Sequence, residues 1–535
     1  MSLNLTFISP GGLRRDALRK IAGEPYSFWI ESQENTQIAL YDTFDWRLYE
    51  GGFWLSRAGG EIELWEIKTG GVIERLSTPE QPHFAWDFPE GRLKDLVKTP
   101  LDVRALLPLV AAESESQIFC ILDDQRKTIA RMALHRFQVG SGRSPRSRVA
   151  VAQIVPLKGY FRHARQLAKA FADSGLTPGR ATDVFPLLLA PSGRFPRDYR
   201  SKPEYRLDPE MRAEEAARII LRHLLGVIRA NEAGIREDID TEFLHDFRVS
   251  IRRTRSALSQ IRGVFPAEDV ARFTDDFARL GEMTNKLRDL DVSLLRETLY
   301  RRMLPAALAP DIDPLFSNLK RERIQAHRDV ARTLGTKKYT AVLEAWDIFL
   351  SPPEPGSRSA RSREGARPAE PGTPNAWRPV IRLAKKRILK RYKRALEAGE
   401  EILATGKDEA LHSLRIQCKK LRYLMEFFYS LFPPDPMDGL IRQLKRLQDN
   451  LGDFNDLTVQ QNYLLERSTE LSPGEPVPAR TLLAIGALVG ELEARKRKTK
   501  ETFLEAFSAF AAPENRAIYQ ELFEEEADRR REDSG

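Results

Sequence analysis

Basic side chains and one histidine recur at matching positions in two distant segments of the chain. Leu244–Arg255 reads LHDFRVSIRRTR and Leu411–Arg422 reads LHSLRIQCKKLR, so the segments align without a gap at an offset of 167 residues. Helical periodicity places the histidine and three cations of each segment within an arc of about 80°, opposite an apolar side. The candidate residues are His245, Arg248, Arg252, Arg253 and Arg255 in the first segment and His412, Arg415, Lys419, Lys420 and Arg422 in the second. Because guanidinium, ammonium and imidazole groups all donate hydrogen bonds to phosphoryl oxygens, the pattern indicates phosphate binding.

A third basic segment extends from Arg378 to Arg394. Its 17 residues hold nine cations and no acid. Like charges four residues apart on a helix repel by roughly 0.2–0.5 kcal/mol per pair, so we expect an external anion to relieve them. As a helix the segment would run about 24 Å, which suits a linear polyanion better than a single phosphate. The candidate residues are Arg378, Arg382, Lys385, Lys386, Lys390 and Arg394, and a further basic cluster adds Arg495, Lys496 and Lys498.

Three other interpretations compete with polyanion binding. A charged helix face is most often merely solvated, although a purely cationic face that occurs twice argues against this. A metal site at His245 and His412 would lack a second histidine three or four residues away, and the nearby guanidinium groups would repel a cation. Nucleic acid is the third candidate. Aromatic residues are sparse on the cationic faces, Tyr392 and Tyr423 being the exceptions, which argues against base recognition but not against nonspecific phosphate contacts.

Composition limits the class of protein that carries these segments. The 535 residues are 41% hydrophobic and 30% charged, which is typical of a globular chain. No stretch reaches the roughly 18 uninterrupted apolar residues of a membrane span, and the amino terminus does not resemble a signal peptide. The two cysteines, Cys120 and Cys418, have no partners at metal-ligand spacing and fit a reducing compartment. The net charge of +8 is small for this length, so the layout of the charge is more informative than its total.

The apolar pattern divides the chain into a β-rich part and a helical part. Short alternating segments from about residue 25 to 160 predict an antiparallel sheet or barrel, followed by a helix around Tyr160–Ser174. From about Pro209 onward, apolar residues at three- and four-residue spacing predict long helices. We therefore predict an α+β multidomain chain. Its predicted segments are a β-barrel domain at 1–195, helical bundles at 205–350 and 377–512, a Pro/Ser/Gly-rich linker at 351–376 and a polar tail at 513–535.

The repeated basic motif resembles that of the CHAD family, a helical domain named for its conserved histidines. Each half of that family carries a His-x-x-Arg-x-x-x-(Arg/Lys)-(Arg/Lys)-x-(Arg/Lys) helix, and His245–Arg255 and His412–Arg422 both match it. The resemblance covers about residues 205–512. It implies an all-α pair of four-helix bundles related by pseudo-twofold symmetry, with a basic surface or cavity that binds inorganic polyphosphate, and often association with polyphosphate granules.

The amino-terminal part resembles the CYTH, or triphosphate tunnel, family through Tyr41–Arg57, Lys68 and Leu157–Arg162. It departs from that family where the chemistry takes place. Leu3–Phe7 stands where the family has a Glu-x-Glu-x-Lys strand, and the late strand Arg148–Ile154 carries no acid. Triphosphate hydrolysis needs carboxylates that hold a divalent cation, so we expect a tunnel-like barrel without activity.

Together these features favour a protein that binds inorganic polyphosphate without hydrolysing it. We expect it in the cytoplasm and on polyphosphate granules, whose components are further candidate partners, with no cofactor and no membrane partner. One alternative is a metal-dependent triphosphatase or polyphosphatase that uses the barrel. The other is a nonspecific nucleic-acid-binding protein.

Overall fold

The described residues fall into two compact units. The computed structural model describes residues 5–140, 147–351, 372–405, 408–469, 471 and 476–524. The units are Met1–Arg200 and Ser201–Gly535. Within the described ranges, no helix is both long enough and apolar enough to cross a membrane.

The first unit is built on an antiparallel sheet. Its strands are β1 (Leu5–Ser9), β2 (Ser27–Asp42), β3 (Phe53–Ala58), β4 (Glu61–Glu66), β5 (Gly71–Ser77), β6 (Leu107–Leu122), β7 (Thr128–Val139), β8 (Ser147–Pro156) and β9 (Thr177–Pro178). The helices of this unit are α1 (Arg15–Ala22), α2 (Arg47–Glu50), α3 (Arg92–Leu101), α4 (Phe161–Asp173) and α5 (Phe185–Leu189). The strand order is β5-β4-β3-β2-β6-β7-β8-β1-β9. Leu167 and Phe171 of α4 pack on a core that includes Phe119 and Leu134 of the sheet.

The predicted antiparallel sheet is confirmed, but the described strands do not close into the predicted barrel. β5 and β9 are the two edges of the described sheet. β9 has only two residues, and Pro178 lacks the backbone N–H that a further ladder would need. Alternation of apolar and polar residues predicts individual strands, but it carries no information on whether the first and last strands of a sheet pair.

The second unit is helical. Its first half contains α6 (Ala213–Arg236), α7 (Thr241–Gln260), α8 (Ala267–Glu282), α9 (Asn285–Leu294), α10 (Glu297–Met303), α11 (Asp313–Leu334) and α12 (Lys337–Leu350). Its second half contains α13 (Val380–Thr405), α14 (Asp408–Phe427), α15 (Pro434–Thr469), α16 (Ala479–Glu501), α17 (Phe503–Phe510) and α18 (Pro513–Phe523). This agrees with the predicted helical region. Residues 352–371 of the predicted linker lie outside the described residues.

The internal repeat in the sequence is also present in the helix boundaries. The starts of α6, α7 and α8 are each followed, 167 residues later, by the starts of α13, α14 and α15. The apolar faces are buried as predicted, with Phe247 and Ile251 in α7 and Leu414 and Cys418 in α14. α7 and α14 also contact each other. The two repeated basic helices are therefore neighbours.

The segment from Pro513 onward does not begin as the predicted polar tail. Residues Pro513–Phe523 form α18, and Tyr519 is buried. Its ring stacks on Tyr392 with centroids 3.6 Å apart, and Phe523 lies 4.9 Å from Phe432. A few large aromatic residues anchor this helix although the segment is polar on average. Residues 525–535 lie outside the described part of the chain.

Candidate anion-binding site

Cations from both repeated helices line one cleft, here called the inter-repeat cleft. It consists of two adjoining cavities of about 410 and 320 Å³, which share His245, Arg252 and Lys419. The nine cations that line them are Lys202, Arg248, Arg252, Arg253, Arg288, Arg296, Arg415, Lys419 and Arg422, and the four carboxylates are Asp246, Asp289, Asp449 and Asp456. The cationic excess creates a positive potential that attracts anions.

Lys419 shows how far the cations outweigh the acids. Burial lowers the pKa of its ammonium group, and the charges of Arg252 and Arg415 lower it further. Asp456 acts in the opposite direction, yet the pKa of Lys419 is lowered to about 8. Burial comes first among these causes, and the surrounding cations outweigh the one carboxylate that stabilises the ammonium group. A phosphate anion beside it would supply further negative charge.

Neighbouring backbone and side-chain groups hold two donors of the cleft in place. Arg248 donates from Nη1 to the Gly281 carbonyl at 3.0 Å and to Thr284 Oγ1 at 2.5 Å, and from Nη2 to Asn285 Oδ1 at 2.8 Å. Its orientation is therefore set by the end of α8 and the start of α9.

His245 is oriented in a similar way by Arg288. The Nη2 group of Arg288 lies 2.9 Å from Nδ1 of His245. A guanidinium group cannot accept a hydrogen bond, so Nδ1 is the acceptor and the ring proton lies on Nε2. His245 therefore accepts from Arg288 through Nδ1 and lies where the two cavities of the cleft meet.

Asp456 is the carboxylate that links the two halves of this site. It lies 3.7 Å from Arg415 of α14 and 3.9 Å from Arg296, which precedes α10. Asp289, at the equivalent position of the first repeat, acts on the charges of Arg248 and Arg288. Each repeat thus places one carboxylate beside its arginines, and these two carboxylates offset part of the positive charge.

Some predicted ligand residues do not point into the cleft as free donors. The prediction that Arg253 is a phosphate ligand is wrong, because its side chain is buried and donates to Glu426 at 2.6 Å and to the Ser201 carbonyl at 3.0 Å. Its role is therefore to connect α7 to α14. His412 is exposed, and its Nδ1 lies 3.3 Å from Asn455 Oδ1. Arg255 is exposed as well, and neither residue lines a cavity of the cleft.

The other predicted cations lie around two further cavities. Arg378, Arg382, Lys386, Lys390 and Arg394 line a groove of about 900 Å³ along α13. Lys385 does not line it, and Lys420 lies near Arg391 and Arg394. Arg495 and Lys498 line a cavity of about 480 Å³ that shares Arg296 and Asp456 with the inter-repeat cleft. Lys496 instead lies 5.3 Å from the ring centroid of Phe454 and 4.0 Å from Glu493.

Sequence reasoning missed Arg288 and Arg296. At the repeat offset, Asn455 and Tyr463 occupy the equivalent positions, so a search for repeated cations could not find them. Asp289 and Asp456, which do repeat, are the one sequence signal that points to this part of the cleft.

Two competing interpretations can be compared with the geometry. Tyr392 and Tyr423, the candidate stacking residues, are both buried, at 3% and 9% exposure. Tyr392 lines neither cavity of the cleft, whereas Tyr423 lines the smaller one, with the Arg253 guanidinium 5.7 Å from its ring centroid. Within the described ranges, no group of three or more His, Cys, Asp or Glu side chains is arranged to hold a metal ion.

The chain is similar to a protein family, to two curated proteins and to solved structures. Residues 219–465 match the family model of the CHAD domain. Two uncharacterized proteins of Mycobacterium tuberculosis, one from each of two strains, are 26% identical over 312 residues, which cover 57% of this chain and 53% of theirs. The chain thus spans about half the length of these curated relatives.

Two solved structures also resemble the chain. The crystal structure of the CHAD domain from the plant Ricinus communis has a TM-score of 0.47 and 22% identity, covering 59% of this chain and 96% of its own. PptA from Streptomyces chartreusis has a TM-score of 0.39 and 15% identity, covering 56% of this chain and 99% of its own.

Proposed function

We propose that this protein, whose residues 219–465 form a CHAD domain, binds inorganic polyphosphate in the inter-repeat cleft without hydrolysing it. The observation that carries the proposal is the position of Lys419, half-buried among cations from both repeated helices. A chain of phosphates would bring negative charge to cations that lack it. Arginines held by backbone and side-chain acceptors would meet its oxygens with little loss of side-chain freedom.

The lining of the cleft favours polyphosphate over nucleic acid. Its donors are guanidinium, ammonium and imidazole groups, which recognise phosphoryl oxygens. The burial of Tyr392 and Tyr423 leaves little of these two rings for stacking on bases. Competition for the cleft between polyphosphate and single-stranded RNA at equal phosphate concentration should therefore favour polyphosphate.

The absence of hydrolysis is proposed from the first unit, whose sequence resembles the CYTH family. β1 reads LTFIS and β8 reads SRVAVAQIVP, and neither strand carries a carboxylate that could bind a divalent cation. Incubation with tripolyphosphate and Mg²⁺ or Mn²⁺ tests this part of the proposal. Phosphate release above that of a no-protein control would support the alternative, a metal-dependent triphosphatase.

We also propose that polyphosphate binding places the protein on cytoplasmic polyphosphate granules. A fluorescently tagged full chain should co-localise with stained polyphosphate in cells that accumulate it. A variant with a disabled cleft should lose the co-localisation while its abundance stays the same.

A titration with long-chain polyphosphate tests the binding proposal. The cleft variant R252E/K419E reverses two charges that line both cavities, and the matched control K337E/K338E makes the same charge change at exposed residues of α12. We expect saturable binding by the wild type at moderate salt, and affinity reduced by roughly tenfold or more in the cleft variant only. No saturable binding by the wild type, or equal losses in both variants, would refute the proposal.

A further inference from the structure

The groove along α13, here called the α13 groove, is a second basic surface of the helical unit. Its seven cations are Arg378, Arg382, Lys386, Arg387, Lys390, Lys393 and Arg394, and Glu397 is the one carboxylate among its described lining residues. None of the seven forms an ion pair with a carboxylate of the described residues. The groove shares no lining residue with the inter-repeat cleft.

A cluster of cations from three segments adjoins this groove. Arg262 follows α7, Arg387, Arg391 and Arg394 belong to α13, and Lys420 belongs to α14. The pKa of Lys420 is lowered by burial and then by the charges of Arg391, Arg262 and Arg394. The pKa values of Arg387 and Arg391 are lowered by burial and by other members of the cluster in the same way. The neighbouring charges that lower these three pKa values are all cationic, whereas Asp456 raises that of Lys419.

Hydrogen bonds hold the cluster together despite this repulsion. The Arg262 carbonyl accepts from Asn375 Nδ2 at 2.7 Å and from Arg387 Nη2 at 3.2 Å. Arg391 Nη1 donates to Gln417 Oε1 at 2.6 Å. The Nε of Arg387 is buried and has no hydrogen-bond partner among the described residues. Arg387 and Arg391 are thus held in position by neutral acceptors.

Lys419 and Lys420 show that the two basic sites are separate. These lysines are adjacent in the chain, yet the charged groups that shift their pKa values do not overlap. Lys419 responds to Arg252, Arg415, Asp456 and Arg422, whereas Lys420 responds to the α13 cluster. α14 therefore presents one lysine to each site.

We propose that the α13 groove is a second polyphosphate site that contributes to the binding of long chains and not of short ones. The proposal rests on polyphosphate binding in the inter-repeat cleft. Exposed cations along the groove run about 24 Å from Arg378 to Arg394, and single exposed charges bind weakly. A short anion meets few of them at once and binds better in the cleft, where cations of two helices face it. A long chain that occupies both sites gains affinity because its second contact is intramolecular.

The test compares tripolyphosphate with long-chain polyphosphate on the full chain. The groove variant R382E/K386E/K390E is matched by the control R328E/K337E/K338E, which reverses three exposed cations that line neither site. In the groove variant we expect tripolyphosphate affinity within about twofold of wild type and long-chain affinity lower by roughly tenfold or more. For long-chain polyphosphate, the slope of the logarithm of affinity against the logarithm of salt concentration should become shallower by about two to three.

The outcomes separate this inference from the proposal on which it rests. Equal long-chain affinity in the groove variant and its control would overturn the second site and leave the cleft standing. Loss of tripolyphosphate binding in the groove variant would also overturn it, because the two sites would then not be separate. Failure of the wild type to bind either probe would overturn both proposals. The neutral variant R382Q/K386Q/K390Q must show the same selective loss, and circular dichroism must show that each variant is folded.

Discussion

Polyphosphate binding should take up protons through Lys419. In the free protein, burial and the charges of Arg252 and Arg415 lower the pKa of Lys419 to about 8. Bound phosphates would place negative charge beside the ammonium group and raise its pKa toward its ordinary value of 10.5. Because the complex holds the proton more tightly than the free protein, affinity must fall as the pH rises through 8.

The size of the effect follows from the two pKa values. At pH 8 the free protein has about half of its Lys419 side chains neutral, so binding should take up about 0.5 proton. The uptake should be about 0.1 proton at pH 7 and about 0.9 at pH 9. Over this range the affinity should weaken by about tenfold, which corresponds to about 1.4 kcal/mol.

Calorimetric titration of tripolyphosphate in two buffers of different ionisation enthalpy measures the uptake directly. The variant K419R keeps the positive charge but does not titrate in this range, so it is the matched control. It should bind at pH 7 about as well as wild type and should lose the uptake at pH 8. Protonation of the ligand or of His245 contributes to both proteins and cancels in the difference.

The reasoning fails if wild type and K419R take up the same number of protons at pH 8 while both bind. It also fails if neither the wild type nor K419R changes its affinity from pH 7 to 9. Either result would mean that the phosphates bind away from Lys419.

Three more substitutions probe other parts of the molecule. Lys386→Glu converts the i,i+4 repulsions with Arg382 and Lys390 into attractions, so the free energy of unfolding at low salt should rise by about 1 kcal/mol. Thermal melts measure this change, and a decrease would show that the cations of α13 do not repel one another in the free protein. Arg253→Met removes one of the two arginines that pair with Glu426 and leaves Arg422, so the free energy of unfolding by denaturant should fall by roughly 3 kcal/mol. Arg252→Met, at the exposed neighbouring position, should change the free energy of unfolding by less than about 0.5 kcal/mol. Equal losses in the two variants would disprove the structural role of Arg253. Asp456→Asn removes negative charge beside Arg296 and Arg415, so tripolyphosphate affinity at pH 7 should rise by roughly threefold or more; weaker binding would show that Asp456 positions these arginines instead.

The sequence contains most of the information on the helices and part of the information on the site. The offset of 167 residues predicts that α7 and α14 are equivalent, and their boundaries agree with it. Helical periodicity also separates the buried Phe247 and Leu414 from the cations. It does not show which helix packs beside which, so it treats Arg253 as equivalent to its neighbours, although α14 presents Glu426 to it.

The parts of the site that the sequence does not show depend on packing between distant segments. Arg288 and Arg262 are not repeated as cations in the second half. Each joins a basic site only because the segment that carries it, α9 or the end of α7, packs beside that site. Similarly, the polar average of residues 513–535 conceals the stacking of Tyr519 on Tyr392. Closure of the sheet also depends on its edges, where Pro178 limits pairing.

The most direct test of polyphosphate binding in the inter-repeat cleft is a crystal structure of the full chain with long-chain polyphosphate bound. The account predicts phosphate density between α7 and α14, with oxygens within hydrogen-bond distance of Arg252 and Lys419. Phosphate density found only elsewhere, with the cleft between these helices empty, would contradict it.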